Sequence, residues 1–195
     1  MKTRNLLLAV LCFSIVAFGA AQLYAAVTES STNVPLAIPD ASSVNSTLNF
    51  SVNGTISDAN LTVNIAHAWN ADVRLTLASP TIAGQIVWVN CGGSGDNMTN
   101  TVIDDDAAGL AACTAAAGPP FTGSFRPTDG GSNAGTTPVA APGNMTAFDG
   151  SASGGVWTLT AADDSSIITG TLNAWSLTLD GNPPLPVELM SFEIN

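Results

Sequence analysis

From Leu48 onward the apolar residues fall on every second position, in short sets separated by turn-forming clusters. Leu48, Phe50 and Val52 make the first set, Leu61, Val63 and Ile65 the second, and Val73, Leu75 and Leu77 the third. A two-residue period puts successive side chains on opposite faces of an extended chain, so each set predicts a strand with one face buried and one wet. Asn, Gly, Ser, Asp and Pro crowd the intervals, and these residues turn a chain. Residues 85–90 differ, because Ile86, Val87, Trp88 and Val89 are consecutive and predict a strand covered on both faces. Alternation returns at Trp157 with Leu159, and again at Trp175 with Leu177 and Leu179. Residues 91–142 are dominated by Gly, Ala, Asn, Thr and Pro and read as long loops, apart from a short strand just before Asp104. With no helical stripe of comparable length, the pattern predicts an all-β chain folded as an antiparallel sandwich or jelly roll.

The chain opens Met-Lys-Thr-Arg and runs straight into an apolar stretch over residues 6–21, the length of a signal h-region and short for a membrane span. Export through a cleaved signal is the reading, with small residues at Gly19-Ala20-Ala21 favouring cleavage after Ala21 and Ala25 as the rival. Leu11 before Cys12 argues against a lipid anchor at that cysteine. The expected organisation is a signal over 1–25, a lead-in over 26–40, the sandwich over 41–181, and a linker with a C-terminal segment over 182–195. The remainder after the signal is the usual size of one domain. The expected destination is extracellular or periplasmic, without membrane attachment once the signal is gone.

Charge narrows the partners. The chain carries 15 Asp+Glu against 4 Lys+Arg, a formal net charge of -11, and two of the cations, Lys2 and Arg4, lie inside the signal. Arg74 and Arg126 alone remain, which disfavours nucleic acid and anionic membrane, both held mainly by clustered Lys and Arg. Divalent cations fit better. Asp104-Asp105-Asp106 is a dense acidic run, with Asp96 near it in sequence, and Asp104 and Asp106 share a face of an extended chain. Carboxylates gathered in glycine-rich loops are candidate calcium ligands, because calcium takes six to eight oxygens in a flexible shell. The alternative is that these carboxylates are solvated loop residues.

With Cys12 in the signal, Cys91 and Cys113 form an even pair in an exported chain and are expected to be disulfide-bonded. Zinc lacks ligands, His67 being the sole histidine. The four tryptophans, Trp69, Trp88, Trp157 and Trp175, all lie in or beside predicted strands and are expected in the core, although exposed indoles on a jelly roll would suit sugars.

Several ordered segments resemble one family. They are Ile65-Ala66-His67-Ala68-Trp69-Asn70-Ala71-Asp72-Val73 through Leu77-Ala78-Ser79-Pro80, then residues 95–105 and Gly123-Ser124-Phe125-Arg126-Pro127. Phe148-Asp149-Gly150, Gly155-Val156-Trp157-Thr158-Leu159, Asp163-Asp164 and residues 170–177 complete the series. Together they are similar to the P domain, or P/Homo B domain, that follows the subtilisin-like catalytic domain in proprotein convertases and in many bacterial secreted proteases. The resemblance implies a galactose-binding-like jelly roll with no catalytic residues of its own. It also implies a structural role for His67 and an association with serine endopeptidases and proteolysis. Asp72 and Asp163 match acidic positions of that family and join Asp96, Asp104, Asp105 and Asp106 as candidate calcium ligands. Ala71 stands where the family usually has glycine, and residues 128–143 look inserted. The function expected is that of a secreted, monomeric, calcium-stabilised accessory module that stabilises or positions a protein partner such as a subtilisin-like protease. The rival is a free-standing adhesin or carbohydrate-binding module.

Overall fold

The computed structural model describes residues 26–51, 53–109, 111, 120–129, 139–140 and 145–181. The expected signal, Val52, Cys113 and the C-terminal segment fall outside them. The described chain forms strands β1 (Val27–Ser30), β2 (Leu36–Ile38), β3 (Ser43–Phe50), β4 (Ile56–His67), β5 (Val73–Ala78) and β6 (Gln85–Val89). There follow β7 (Met98–Ile103), β8 (Phe121–Phe125), β9 (Thr128–Asp129), β10 (Val139–Ala140), β11 (Gly155–Asp163) and β12 (Gly170–Gly181). Single 3₁₀ turns at Asn70–Asp72 and Thr146–Phe148 are the helical elements among the described residues. No described helix is long and apolar enough to cross a membrane.

The strands build two sheets. One runs β1-β12-β4-β7-β8, with β2 also paired to β12, and the other runs β10-β9-β6-β5-β11-β3. Pairing is antiparallel except between β6 and β9 and between β7 and β8. The alternation read from the sequence is the alternation of burial: Leu61, Val63 and Ile65 on β4 point inward, as do Leu75 and Leu77 on β5 and Trp157 and Leu159 on β11. Burying the inner rows of both sheets against each other is the main stabilising term, worth about 1.5–3 kcal/mol per large apolar side chain.

Aromatic rings lock the two layers. Trp157 packs between Phe50 and Phe148, with ring centroids 6.2 and 5.0 Å away. Trp88 of one sheet meets the edges of Phe121 and Phe125 of the other, at 4.9 and 6.3 Å.

Three expectations are corrected. β6 is not covered on both faces: Ile86 is 43% exposed, while Val87 and Trp88 are both buried. The cause is a bulge, since Leu75 pairs with Trp88 and Thr76 with Ile86, which leaves Val87 as the extra residue and turns two consecutive side chains inward. Residues 91–142 are not all loop, because β7 and β8 complete the first sheet, and β9 with β10 extends the second. Their inward rows are too short or too polar to show in the sequence; on β7 the buried positions are Met98, Thr101 and Ile103. Finally, Trp69 lies 39% exposed, unlike Trp88, Trp157 and Trp175.

Candidate functional site

One end of the sandwich is organised around His67, the last residue of β4. Its backbone N–H donates to Asn97 Oδ1 (3.1 Å), and its carbonyl accepts from Asn97 N–H (3.0 Å). The imidazole is enclosed, with its Nε2 3.3 Å from Asp163 Oδ2 and both side chains fully buried. The backbone N–H of Trp69 donates to Nδ1 at 3.2 Å. An amide can only donate, so Nδ1 carries a lone pair and the ring proton sits on Nε2, donated to Asp163; the network assigns this tautomer. The second carboxylate oxygen of Asp163 accepts from Ser165 N–H at 3.0 Å.

Gly170 makes room for the ring. It pairs with His67 in register, and a Cβ there would stand 2.4 Å from His67 Cδ2 and 3.0 Å from the carbonyl oxygen of Ala66.

Around this pair the 3₁₀ turn at Asn70–Asp72 is pinned by the glycine-rich loop, Asn70 N–H donating to Gly95 O and Ala71 N–H to Gly93 O. Ala71 thus serves without the glycine that the resemblance favours. Asp164 N–H donates to the carbonyl of Asp72, and its carboxylate holds Arg74 by two bonds of 2.7 and 2.8 Å. That bond raises the Arg74 pKa further. Partial burial, then repulsion from Asp163, pushes the Asp72 carboxyl above the ordinary range.

The Asp104-Asp105-Asp106 run lies elsewhere. β4 is extended, so Asp58 near its start and His67 at its end stand about 30 Å apart. β7 runs antiparallel to β4 with Ile103 opposite Leu61, which carries Asp104 toward the Asp58 end. Burial, then the nearby Asp104, raises the Asp58 pKa. Asp105 and Asp149 are raised by burial first; Asp104 repels Asp105, while Asp58 and Asp105 repel Asp149.

Asp72, Asp96 and Asp163 therefore do not converge with Asp104, Asp105 and Asp106. Asp163 is committed to His67, and Asp96 is exposed on the rim of a depression shared with His67, Ala68 and Asn97. At the other end, Asp58 and Asp149 join the predicted run. A polar position on the wet face of β4 and an aspartate before Gly150 carry no sequence signal that they meet.

That end presents oxygen donors, the ligand class that calcium takes. Asn60 donates its amide to Asp58 at 2.6 Å, and its own Oδ1 is buried without a partner. Among the described residues no cationic side chain is ion-paired there, the two pairs being His67 with Asp163 and Arg74 with Asp164. No three acidic side chains among the described residues are close enough to share one ion. A calcium bound there would take much of its shell from loop carbonyls and water. Part of the run is already engaged in the loop itself: Asp104 accepts from Asp106 N–H and Asp105 from Thr146 N–H.

The raised carboxyls at both ends set a pH dependence. Asp58, Asp72, Asp105 and Asp149 hold protons more tightly folded than unfolded, so unfolding releases protons. Their stabilising contribution is full below the ordinary value of 3.8 and is lost as pH rises through the raised folded values. In chelator, the melting temperature is expected to rise as pH is lowered from neutrality to about 4.5. A steady fall over that range would show the four carboxyls to be solvated.

Cys91 is fully buried and is not a free thiol. The expected pairing with Cys113 reaches outside the described residues.

No family model matches the chain, and no curated protein matches it. Among solved structures, the serine protease of Aeromonas sobria is similar at 15% identity with a TM-score of 0.47, over 82% of this chain and 27% of that one. The complex of Aeromonas sobria serine protease and the chaperone is similar at 14% identity with a TM-score of 0.48, over the same shares. The chain thus spans about a quarter of the length of the structures it matches.

Proposed function

We propose that this chain is a secreted, noncatalytic accessory module of the P/Homo B type that stabilises or positions a protein partner of the subtilisin-like serine protease class. The observation that carries this reading is the condition of His67. A general base needs one ring nitrogen facing its nucleophile and the other held by an orienting group. Here Asp163 holds Nε2 and a backbone amide occupies Nδ1, inside a fully buried site. Neither nitrogen is left for a hydroxyl or thiol, which supports a structural histidine. The ordered motifs of the resemblance and the two-sheet sandwich agree with the reading.

The test is activity-based labelling with a fluorophosphonate. The purified chain is expected to remain unlabelled and to leave casein intact, while immobilised chain recovers a labelled serine protease from the culture medium of its own cells. Labelling of the chain itself would overturn the reading. So would the repeated absence of a labelled protease.

A disulfide from Cys91 to Cys113 and a structural calcium belong to the same proposal. We place the ion at the Asp58 end, with Asp104, Asp105 and the Asn60 oxygen as donors from this chain. Calcium at tenfold over its dissociation constant adds about 1.4 kcal/mol, which for a domain this size is a shift of roughly 3–6 °C. Melting in millimolar calcium against chelator is expected to show that shift, and Asp104→Asn to abolish it. A midpoint indifferent to calcium removes the metal.

A further inference from the structure

The exposed indole of Trp69 lies beside a second anomaly. Ile167 is 91% exposed and has φ +93°, a left-handed conformation that a β-branched side chain rarely adopts. Solvent exposure gives this residue no burial energy in return for the strain. Trp69, Asp72, Ser165, Ser166, Ile167 and Ile168 line one open depression of ≈ 310 Å³. Its lining is more apolar than polar, and its one charged group is the Asp72 carboxylate. Among the described residues that carboxylate has no hydrogen-bond or ion-pair partner; Asp163 and Asp164 stand close enough to repel it, and His67 to offset part of that repulsion.

We propose that this depression docks an arginine-bearing loop of a protein partner. Charge complementarity chooses the occupant. The chain carries a net charge of -11, and Arg74, the cation nearest this site, is already held by Asp164. A guanidinium stacked on Trp69 and bonded to Asp72 supplies the missing positive charge, and its planar fork suits a carboxylate better than an ammonium does. A neutral sugar on the same indole leaves the repulsion among the carboxylates in place. Ile167, raised on its strained loop, meets an apolar neighbour of that arginine. The inference rests on the accessory-module reading and names the chemistry of its partner.

The experiment is a fluorescence-anisotropy titration of dye-labelled tetra-arginine amide, and of its neutral citrulline counterpart, with the full chain at two salt concentrations. The arginine peptide is expected to bind and the citrulline peptide not to bind. Trp69→Ala and Asp72→Asn are each expected to weaken binding about tenfold, while Asp40→Asn, at an exposed acid outside the depression, changes it less than about twofold. Melting curves confirm that the variants fold.

Failure to bind the arginine peptide overturns the proposal. Equal loss in Asp72→Asn and Asp40→Asn does the same, as it reveals only diffuse charge attraction. Binding of a neutral oligosaccharide that depends on Trp69 overturns it in favour of the carbohydrate module. If the labelled protease is still recovered while the peptide test fails, the accessory reading stands and its interface lies elsewhere. Peptide binding without any protease leaves the arginine-docking site in place and removes only the class of partner.

Discussion

Replacing Trp157 by alanine is expected to destabilise the domain by about 3–5 kcal/mol, and to lower its melting temperature by roughly 10–15 °C. The ring is wholly buried between Phe50 and Phe148, and its Nε1–H donates to Ser153 O at 2.9 Å. Truncation removes apolar contact on both sides and leaves a cavity that the sheets close only in part. The 3₁₀ turn at Thr146–Phe148 loses its anchor as well, because Phe148 rests on this indole. Trp157→Phe keeps most of the volume but loses the hydrogen bond, and its cost is expected to be less than half. Denaturant melts of both variants provide the check; a loss below about 1.5 kcal/mol for the alanine variant would mean that the core relaxes to fill the space.

Asp163→Ala is expected to cost about 3 kcal/mol, the upper part of the range for leaving a buried donor unsatisfied. The deleted carboxylate accepts from two groups, the His67 ring and Ser165 N–H, and the ring is sealed from water. Asp163→Asn restores one acceptor oxygen for two donors and should recover about half of the loss. Nitrogen shifts of the imidazole provide a readout that simple loss of packing would not move. The native chain should show the proton on Nε2, and Asp163→Ala should release that preference. A native ring protonated on Nδ1 would contradict the assignment, because Nδ1 accepts from Trp69 N–H.

The two variants probe parts of the molecule that differ in how far the sequence exposes them. Trp157 sits in a period-two row, and its inward face is legible beside Leu159. The His67–Asp163 pair joins residues 96 positions apart and has no spacing signature of its own. Only the resemblance marks both positions as belonging to known motifs. Ser46 is a similar case. It sits on the buried face of β3, where it accepts from Trp175 Nε1–H at 2.7 Å and donates to Asn33 at 2.6 Å. Its phase with Leu48 and Phe50 turns it inward, but only its partners in the folded molecule explain how a hydroxyl is satisfied there.

The amino-acid order by itself determined the alternation that buries one row of each main strand, and with it the two-layer fold and most of the core. That follows because side-chain direction in an extended chain is a local property of the backbone. Which acids share an end, which tryptophan stays wet and where β6 bulges were decided only in the tertiary structure. Those outcomes depend on strand register and on which loops the antiparallel pairing returns to the same edge, and sequence separation does not encode either.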